Sequence, residues 1–314
     1  MGGHTTFDPP TQAQAVHPRQ VRLQKLTGPQ RWDQPVVGLM LRHPWRTELL
    51  AQSDTLPIDW LEVYPENYQK RGPRLLGELE TLAAQWPLTS HGVHLSLGGL
   101  DPLSEDYLTT AAAFFDRFDI PWCSDHLGVS VHRGEILHEI VPPALTRDAA
   151  WRIAERSAAA QARFGRPLLV ENTAAYLRPP GSDLDEPDFI HAVLERSDVH
   201  LLLDVNNLYV NALNHGLDAS QMLRRLPLDR VREIHIGGFT VQSHSGLVVD
   251  SHAAAPTQPV WRLLVEALGL CGPVPVLLEW ESHFGCFSQV RAQIEQVHTA
   301  WRWAAAQATT EQTV

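Results

Sequence analysis

Cysteine is scarce in this chain: Cys123, Cys271 and Cys286 stand far apart and are odd in number. They offer no disulfide framework and no Cys-x-x-Cys metal pair. Long apolar runs are missing too. No uncharged stretch approaches the roughly 18 residues of a spanning helix, and no signal-like apolar segment follows Met1. Positive charge is in deficit, with 25 Lys plus Arg against 36 Asp plus Glu and a formal net charge of −11. Without a general basic field, neither nucleic acid nor membrane is expected as a partner. A reducing cytoplasm is the expected compartment.

Against these absences stand 314 residues, 44% of them hydrophobic and 19% charged, enough to bury one large core. Residues 1–35 carry scattered Pro, Gln, Thr and Gly without a period and read as a flexible extension. Order is expected from Val36, in a single domain over 36–303, with 304–314 fraying after a helix that contains Trp301 and Trp303. Short apolar runs at 36–41, 60–65, 88–95, 121–127, 168–172, 200–205, 231–237 and 275–280 predict strands. Helical patterns fill the gaps at 46–52, 73–85, 105–118, 144–164, 187–195, 217–225, 257–268 and 287–303, with Pro143 and Pro187 near two starts. A polar interruption, 130–139, predicts a small hairpin. Eight strand–helix alternations predict an α/β fold, a single (β/α)8 TIM barrel with an N-terminal extension and a C-terminal helix. A doubly wound open sheet produces similar local patterns. The count of eight, and the lack of a Gly-rich dinucleotide motif after the first strand, favour the barrel.

The informative polar residues fall where strands end. His91, Asp125 with His126, Glu171 with Asn172, Asp204 with Asn206 and Asn207, His235, and Glu279 close successive runs, and Asp250 and His252 follow His235. Glu62 interrupts the second run and Glu66 follows it. A barrel points all these ends at one mouth. So many carboxylates and imidazoles together are costly unless metal ions or dense hydrogen bonds compensate them. Nine groups, His91, His126, Glu171, Asp204, Asn207, His235, Asp250, His252 and Glu279, exceed the needs of one ion and suit two or three. Asp250 and His252 share a face of an extended segment, and Glu171 and Glu279 each have two oxygens with which to bridge. Mixed N/O ligation fits iron, manganese or zinc. Asp125, Asn172 and Asn206 are candidates for orienting the ligands, or, for Asp125, for carrying a proton.

At these residues the sequence resembles the DUF692 family, also called UPF0276, multinuclear non-haem iron-dependent oxidative enzymes of the xylose isomerase-like barrel superfamily. The matching pieces are Glu-Val-x-Pro-Glu-Asn-Tyr at 62–68, His-Gly-Val-x-Leu-Ser-Leu-Gly at 91–98, Ser-Asp-His-Leu at 124–127 and Val-Glu-Asn at 170–172. Leu-Leu-Asp-Val-Asn-Asn at 202–207, Glu-Ile-His at 233–235, Asp-Ser-His at 250–252 and Leu-Leu-Glu-Trp at 277–280 complete them. The resemblance implies two or three iron ions, mixed Fe(II)/Fe(III) in the active form, with O2 as co-substrate. It also implies a ribosomally synthesised precursor peptide as substrate, modified most often at Cys and less often at Asp or Asn, and a leader-peptide-binding partner protein in trans. Glu281 is a reserve ligand should Glu279 point away. The chain departs from the family around Arg42 and His43 in the first strand and at Phe239 after His235. Rival readings are a divalent-metal sugar isomerase or epimerase, a zinc phosphodiesterase, which the net charge and Asn207 oppose, and a non-catalytic metal-binding protein.

Overall fold

The structure, a computed structural model, describes residues 34–69, 72–283 and 285–311. In chain order it runs β1 (Val37–Met40), α1 (Arg46–Ala51), β2 (Trp60–Val63), α2 (Pro73–Ala83), β3 (Leu88–Gly92), α3 (Glu105–Arg117) and β4 (Cys123–His126). A hairpin of β5 (Val129–His132) and β6 (Glu135–Val141) follows, then α4 (Arg147–Phe164), β7 (Leu168–Glu171), α5 (Glu186–Glu195) and β8 (His200–Asp204). The remainder is α6 (Val205–His215), α7 (Ala219–Arg224), β9 (Val231–Ile236), a second hairpin β10 (Phe239–Val241) with β11 (Val248–Asp250), α8 (Gln258–Cys271), β12 (Val276–Leu278) and α9 (Phe287–Glu311).

Eight parallel strands close in the order β1-β12-β9-β8-β7-β4-β3-β2, so the chain forms a (β/α)8 TIM barrel as predicted. The closing pair sets Val37 opposite Val276 and Leu39 opposite Leu278. The register places His126 beside Glu171 and Asp204 beside His235, which brings the strand ends to a common level. Both hairpins stand outside the barrel, at the ends of β4 and β9. No helix among the described residues is long and apolar enough to cross a membrane.

Local chemistry explains the helix bounds. Ser104, Thr146, Asp185, Asp204 and Asp218 each accept a backbone N–H from the first turn of α3, α4, α5, α6 and α7. Gly165 and Gly216 end α4 and α6 in the left-handed region that glycine enters without strain. Two expectations are corrected. The sixth barrel strand, β8, does not lead through a loop to a helix at 217–225: α6 starts directly at Val205, and the expected segment is only the short α7. Asn206, Asn207, Asn211 and Asn214 are weak helix formers, but the Asp204 cap and tertiary hydrogen bonds override propensity. The terminal helix also continues to Glu311 instead of fraying at Ala304. The predicted extension 1–35 lies, but for its last two residues, outside the described residues.

Inside the barrel, strand alternation sends every second side chain into the bore. The lower bore is filled by Val36, Met40, Trp60, Trp122, Leu169, Leu202 and Leu277. Trp60 and Trp122 meet edge to face at 6.3 Å. Gly38 makes this possible, since a Cβ there would sit 2.3 Å from the Trp60 ring. Two residues further along, the inward positions become Glu62, Ser124, Glu171, Asp204 and Glu279.

Candidate metal centre

Three groups of donor atoms converge above that apolar plug. In the first, His91 Nε2 and His126 Nε2 are 3.2 Å apart, and each is 3.2 Å from Glu171 Oε2. Such spacing is what a central ion ~2.1 Å from every donor imposes. In the second, Glu171 Oε1 lies 3.9 Å and Glu279 Oε2 3.3 Å from His235 Nδ1, and Asp204 joins them. In the third, His252 Nε2 is 2.9 Å from Asp250 Oδ1, 3.9 Å from Asp204 Oδ2 and 3.7 Å from Glu279 Oε2. Glu171 therefore turns one oxygen to each of two groups, the disposition of a bridging carboxylate. Glu279 differs from the expectation of two bridging oxygens. Only its Oε2 faces His235 and His252, while Oε1 is 3.0 Å from the Tyr64 hydroxyl.

The rear nitrogens of the imidazoles decide which nitrogen faces the cluster. His91 Nδ1 lies 2.8 Å from Ser124 Oγ, which in turn donates to the Ser90 carbonyl. His126 Nδ1 is 3.2 Å from the Gly92 carbonyl. His235 Nε2 stands 3.0 Å from Glu62 Oε1 and 3.5 Å from Glu233 Oε1. Acceptors behind His91 and His126 fix the proton on the rear nitrogen and leave the front lone pair for a cation, the usual support of a metal-ligating histidine, while the two carboxylates behind His235 stand at ion-pair distance. Thr89 Oγ1 donates to Glu62 at 2.9 Å and Trp122 Nε1 to Glu233 at 2.6 Å, so the two carboxylates are themselves held.

Unpartnered atoms test whether metal ions fit. Glu171 Oε2, Asp204 Oδ2, Asn207 Oδ1, His235 Nδ1 and His252 Nε2 are buried and lack a hydrogen-bond partner. Buried polar atoms are almost always satisfied, and leaving several carboxylate oxygens bare together costs several kcal/mol each. A shared set of cations satisfies all five, so the donor set fits metal ions well. Electrostatics agree. Burial alone lowers the pKa of His126, but Glu171 and Asp125 outweigh it and raise the group to about 9. For His252 burial is likewise outweighed, by Asp250 and Glu279, and the pKa rises to about 10. Burial, then Glu171 and Asp250, push Asp204 well above the ordinary carboxylate range. Burial would raise Glu171, yet His126 and His91 bring it below its usual value. A site that draws protons this strongly exchanges them for metal ions as those bind.

Backbone and side-chain contacts place the other predicted residues around this cluster. Asp125 is buried, with Oδ1 accepting from the His126 N–H and Oδ2 from the Leu95 N–H. Asn172 donates to the Asp204 carbonyl and accepts from the Asp204 N–H, tying the ends of β7 and β8 together. Asn206 donates to Asp250 Oδ1 at 2.7 Å. Asn207 sits on the first turn of α6 instead of a loop, its N–H donating to Asp204 Oδ1 and its side-chain amide to the Asn172 carbonyl. His252 reaches the cluster from a left-handed backbone, φ +44°, and packs so close to Gly237 that a Cβ there would lie 2.2 Å from its ring.

A cavity of about 510 Å³ opens over the cluster, lined among others by Arg42, Tyr64, His94, His138, Tyr176 and Glu281. The reserve residue Glu281 is 4.0 Å from His252 Nδ1 and pairs with Arg42. Tyr64 lines the mouth, but Tyr68 stacks on Phe114 and Tyr209 packs on Phe239, away from the donors. Trp280 is buried in the core. Sequence reasoning brought Glu62 to the mouth without giving it a role, and missed Glu233, Arg42 and Tyr176 as parts of the site. For Glu62 a signal existed: it is a lone carboxylate in the middle of an apolar strand, whereas Glu233 stands between Arg232 and Ile234 in a mixed one.

Comparison with known proteins gives a consistent family. Residues 36–302 match the family described as RiPP precursor modification enzyme MbnB/TglH/ChrH. A UPF0276 protein of Acaryochloris marina is 40% identical over 263 residues, 83% of this chain and 93% of that protein. A UPF0276 protein of Pseudomonas aeruginosa is 38% identical over 265 residues, covering 84% and 92%. Among solved structures, the 3-keto-D-glucoside 4-epimerase YcjR of E. coli aligns with TM-score 0.55 at 12% identity, over 85% of this chain and all of that one. An L-ribulose 3-epimerase aligns with TM-score 0.53 at 16% identity, covering 89% and 97%. At such identities these structures share the fold with this chain.

Proposed function

The chain belongs to the RiPP precursor modification enzymes of the MbnB/TglH/ChrH family, the UPF0276 proteins, and from that membership we propose that it oxidatively modifies a side chain of a ribosomally synthesised precursor peptide, with iron and O2. Family and fold indicate an enzyme and a precursor-peptide substrate. The observation that supports a multinuclear metal mechanism is the set of buried, unpartnered N and O atoms converging from the ends of β7, β8 and β9, the first turn of α6 and the segment after β11.

In this reading His91, His126 and Glu171 would hold one ion. Glu171, Asp204, His235 and Glu279 would hold a second, and Asn207, Asp250 and His252 would hold a third beside Asp204. Bound there, iron would supply Lewis acidity and the electrons to reduce O2. The chain's own residues do the rest. Asp125, Asn172 and Asn206 act as positioning residues, through the His126 backbone, the Asp204 backbone and the Asp250 carboxylate respectively. Tyr64 keeps its proton, because burial first and Glu279 next hold its pKa well above the usual phenol value. Its single hydroxyl proton faces Glu281 Oε1 at 2.5 Å and Glu279 Oε1 at 3.0 Å, so the hydroxyl links these two carboxylates at the mouth. The mouth cavity admits a side chain, in this reading a Cys thiolate, with a short stretch of its backbone. Guidance of the peptide falls to a leader-binding partner protein.

The test is metal content after anaerobic purification, with Mössbauer spectra of iron-57-grown protein and mass spectrometry of the candidate peptide with and without O2. Two or three coupled irons per chain and an O2-dependent mass change support the reading. Stoichiometric zinc or manganese with no iron after iron-rich growth would overturn it. The four-residue group around His235 could also serve a single divalent ion, and an O2-independent reaction on a sugar would move the isomerase or epimerase reading ahead.

A further inference from the structure

Three of the four imidazoles have an acceptor 2.8, 3.2 or 3.0 Å from the rear nitrogen, and the fourth has its carboxylate farther off. Glu281 Oε2 stands 4.0 Å from His252 Nδ1, beyond hydrogen-bond reach. The reason lies on the far side of Glu281. Its Oε1 is ion-paired with Arg42 and lies 2.5 Å from the Tyr64 hydroxyl. Arg42 is fixed in turn, its guanidinium 4.9 Å over the Tyr64 ring and its side chain only 16% exposed. Among the described residues it is the one Arg or Lys lining the mouth cavity. Two cationic partners therefore compete for one carboxylate: Arg42, and the His252 imidazole with whatever ion it carries.

Resting on the metal reading above, we propose that Arg42 is a positioning residue that sets how tightly the outermost ion, on Asn207, Asp250 and His252, is held. The Arg42–Glu281 pair keeps the carboxylate from the His252 Nδ1–H. The outer imidazole is left less firmly oriented than the inner three, and its ion is taken up last. Release of Glu281 from Arg42 lets it close onto His252 and completes the same carboxylate–imidazole–metal arrangement that Glu62 provides for His235. Site nuclearity thereby comes under the control of a residue that itself touches no ion.

The experiment is an anaerobic titration of metal-stripped protein with Fe(II), repeated with Mn(II) as a redox-silent probe, reading stoichiometry and the stepwise dissociation constants by chelator competition. Arg42→Met is expected to leave the two tighter constants in place and tighten the weakest about tenfold, the lower end of what supporting residues contribute to metal affinity. Arg42→Gln serves as a second variant, and thermal unfolding checks that both fold. Glu281→Ala separates the mechanisms, because in its background Arg42→Met should no longer change the weakest constant. An unchanged weakest constant in both folded Arg42 variants overturns the proposal. So does a tightening that persists without Glu281, which would make Arg42 only a charge acting through space. A wild-type chain that binds no ion overturns the metal reading as well, whereas the first two failures leave that reading standing.

Discussion

The lower and upper halves of the barrel bore are built by the same strands and hold opposite chemistry. Trp60, Trp122, Leu169, Leu202 and Leu277 plug the lower half, and each fully buried side chain of this kind stabilises the fold by about 1.5–3 kcal/mol. Two residues further on, the same strands present Glu62, Ser124, Glu171, Asp204 and Glu279. The upper half opposes folding unless cations neutralise it, because like charges and bare imidazoles share a dry space. One half thus gives the fold a rigid base, and the other spends part of that stability on a preorganised site. The glycines follow the same division. Gly38 makes room for an aromatic ring below, and Gly237 makes room for the His252 imidazole above.

Substitutions in the two halves should separate this contrast, beginning with the strongest. Glu171→Gln should strip most of the metal and lower peptide turnover by about 10³-fold or more, since Glu171 faces two donor groups. Its metal-free form should lose only the ion-pair stabilisation that Glu171 gives His126, less than a bore aromatic contributes. A large loss of stability there would show that the upper half also carries the fold. Trp60→Ala, below, should cost about 3–5 kcal/mol in denaturant unfolding, with and without metal alike. Rescue of that variant by added metal would break the separation between the halves.

The boundary layer should give intermediate effects. Glu62→Gln removes the charge behind His235 and should weaken metal binding about 10–100-fold while leaving the global fold intact by circular dichroism. An unchanged affinity would remove Glu62 from the site. The smallest effect concerns protons. His126 and His252, raised to about 9 and about 10, are protonated at pH 7, so metal uptake there should release about two protons, measurable in weak buffer. In metal-free protein the same raised values stabilise the fold fully below the unfolded histidine pKa near ~6.5. That contribution is lost as pH rises through about 9 and then about 10, so the metal-free melting temperature should fall over this range.

Strand count, strand placement and the roster of donors were legible along the chain because strand alternation has a short period and donors stand out against Leu, Val and Ile. His91, His126, Glu171, Asp204, His235, Asp250, His252 and Glu279 do meet at one mouth. Other parts were hidden for definite reasons. The helix Val205–His215 contains four asparagines that propensity scores against, and only burial with hydrogen bonds to Thr173, Glu186 and Val248 makes it favourable. Glu62 and Glu233 lie as far from His235 in sequence as 173 and as near as 2 residues, yet meet the same nitrogen. Arg42 belongs to the mouth only because β1 and β12 are neighbours, which sets the loop after β1 against the one carrying Glu281.

By itself the sequence determined the barrel and the chemical types that reach its mouth, since these follow from periodicity and order, and its motifs carried the resemblance that identified the family. Tertiary structure alone decided which nitrogen of each imidazole faces the cluster, which oxygen of Glu279 is free, and whether Glu281 answers to Arg42 or to His252. Those choices depend on distances across the bore between strands far apart in the chain, and barrel closure and register set such distances.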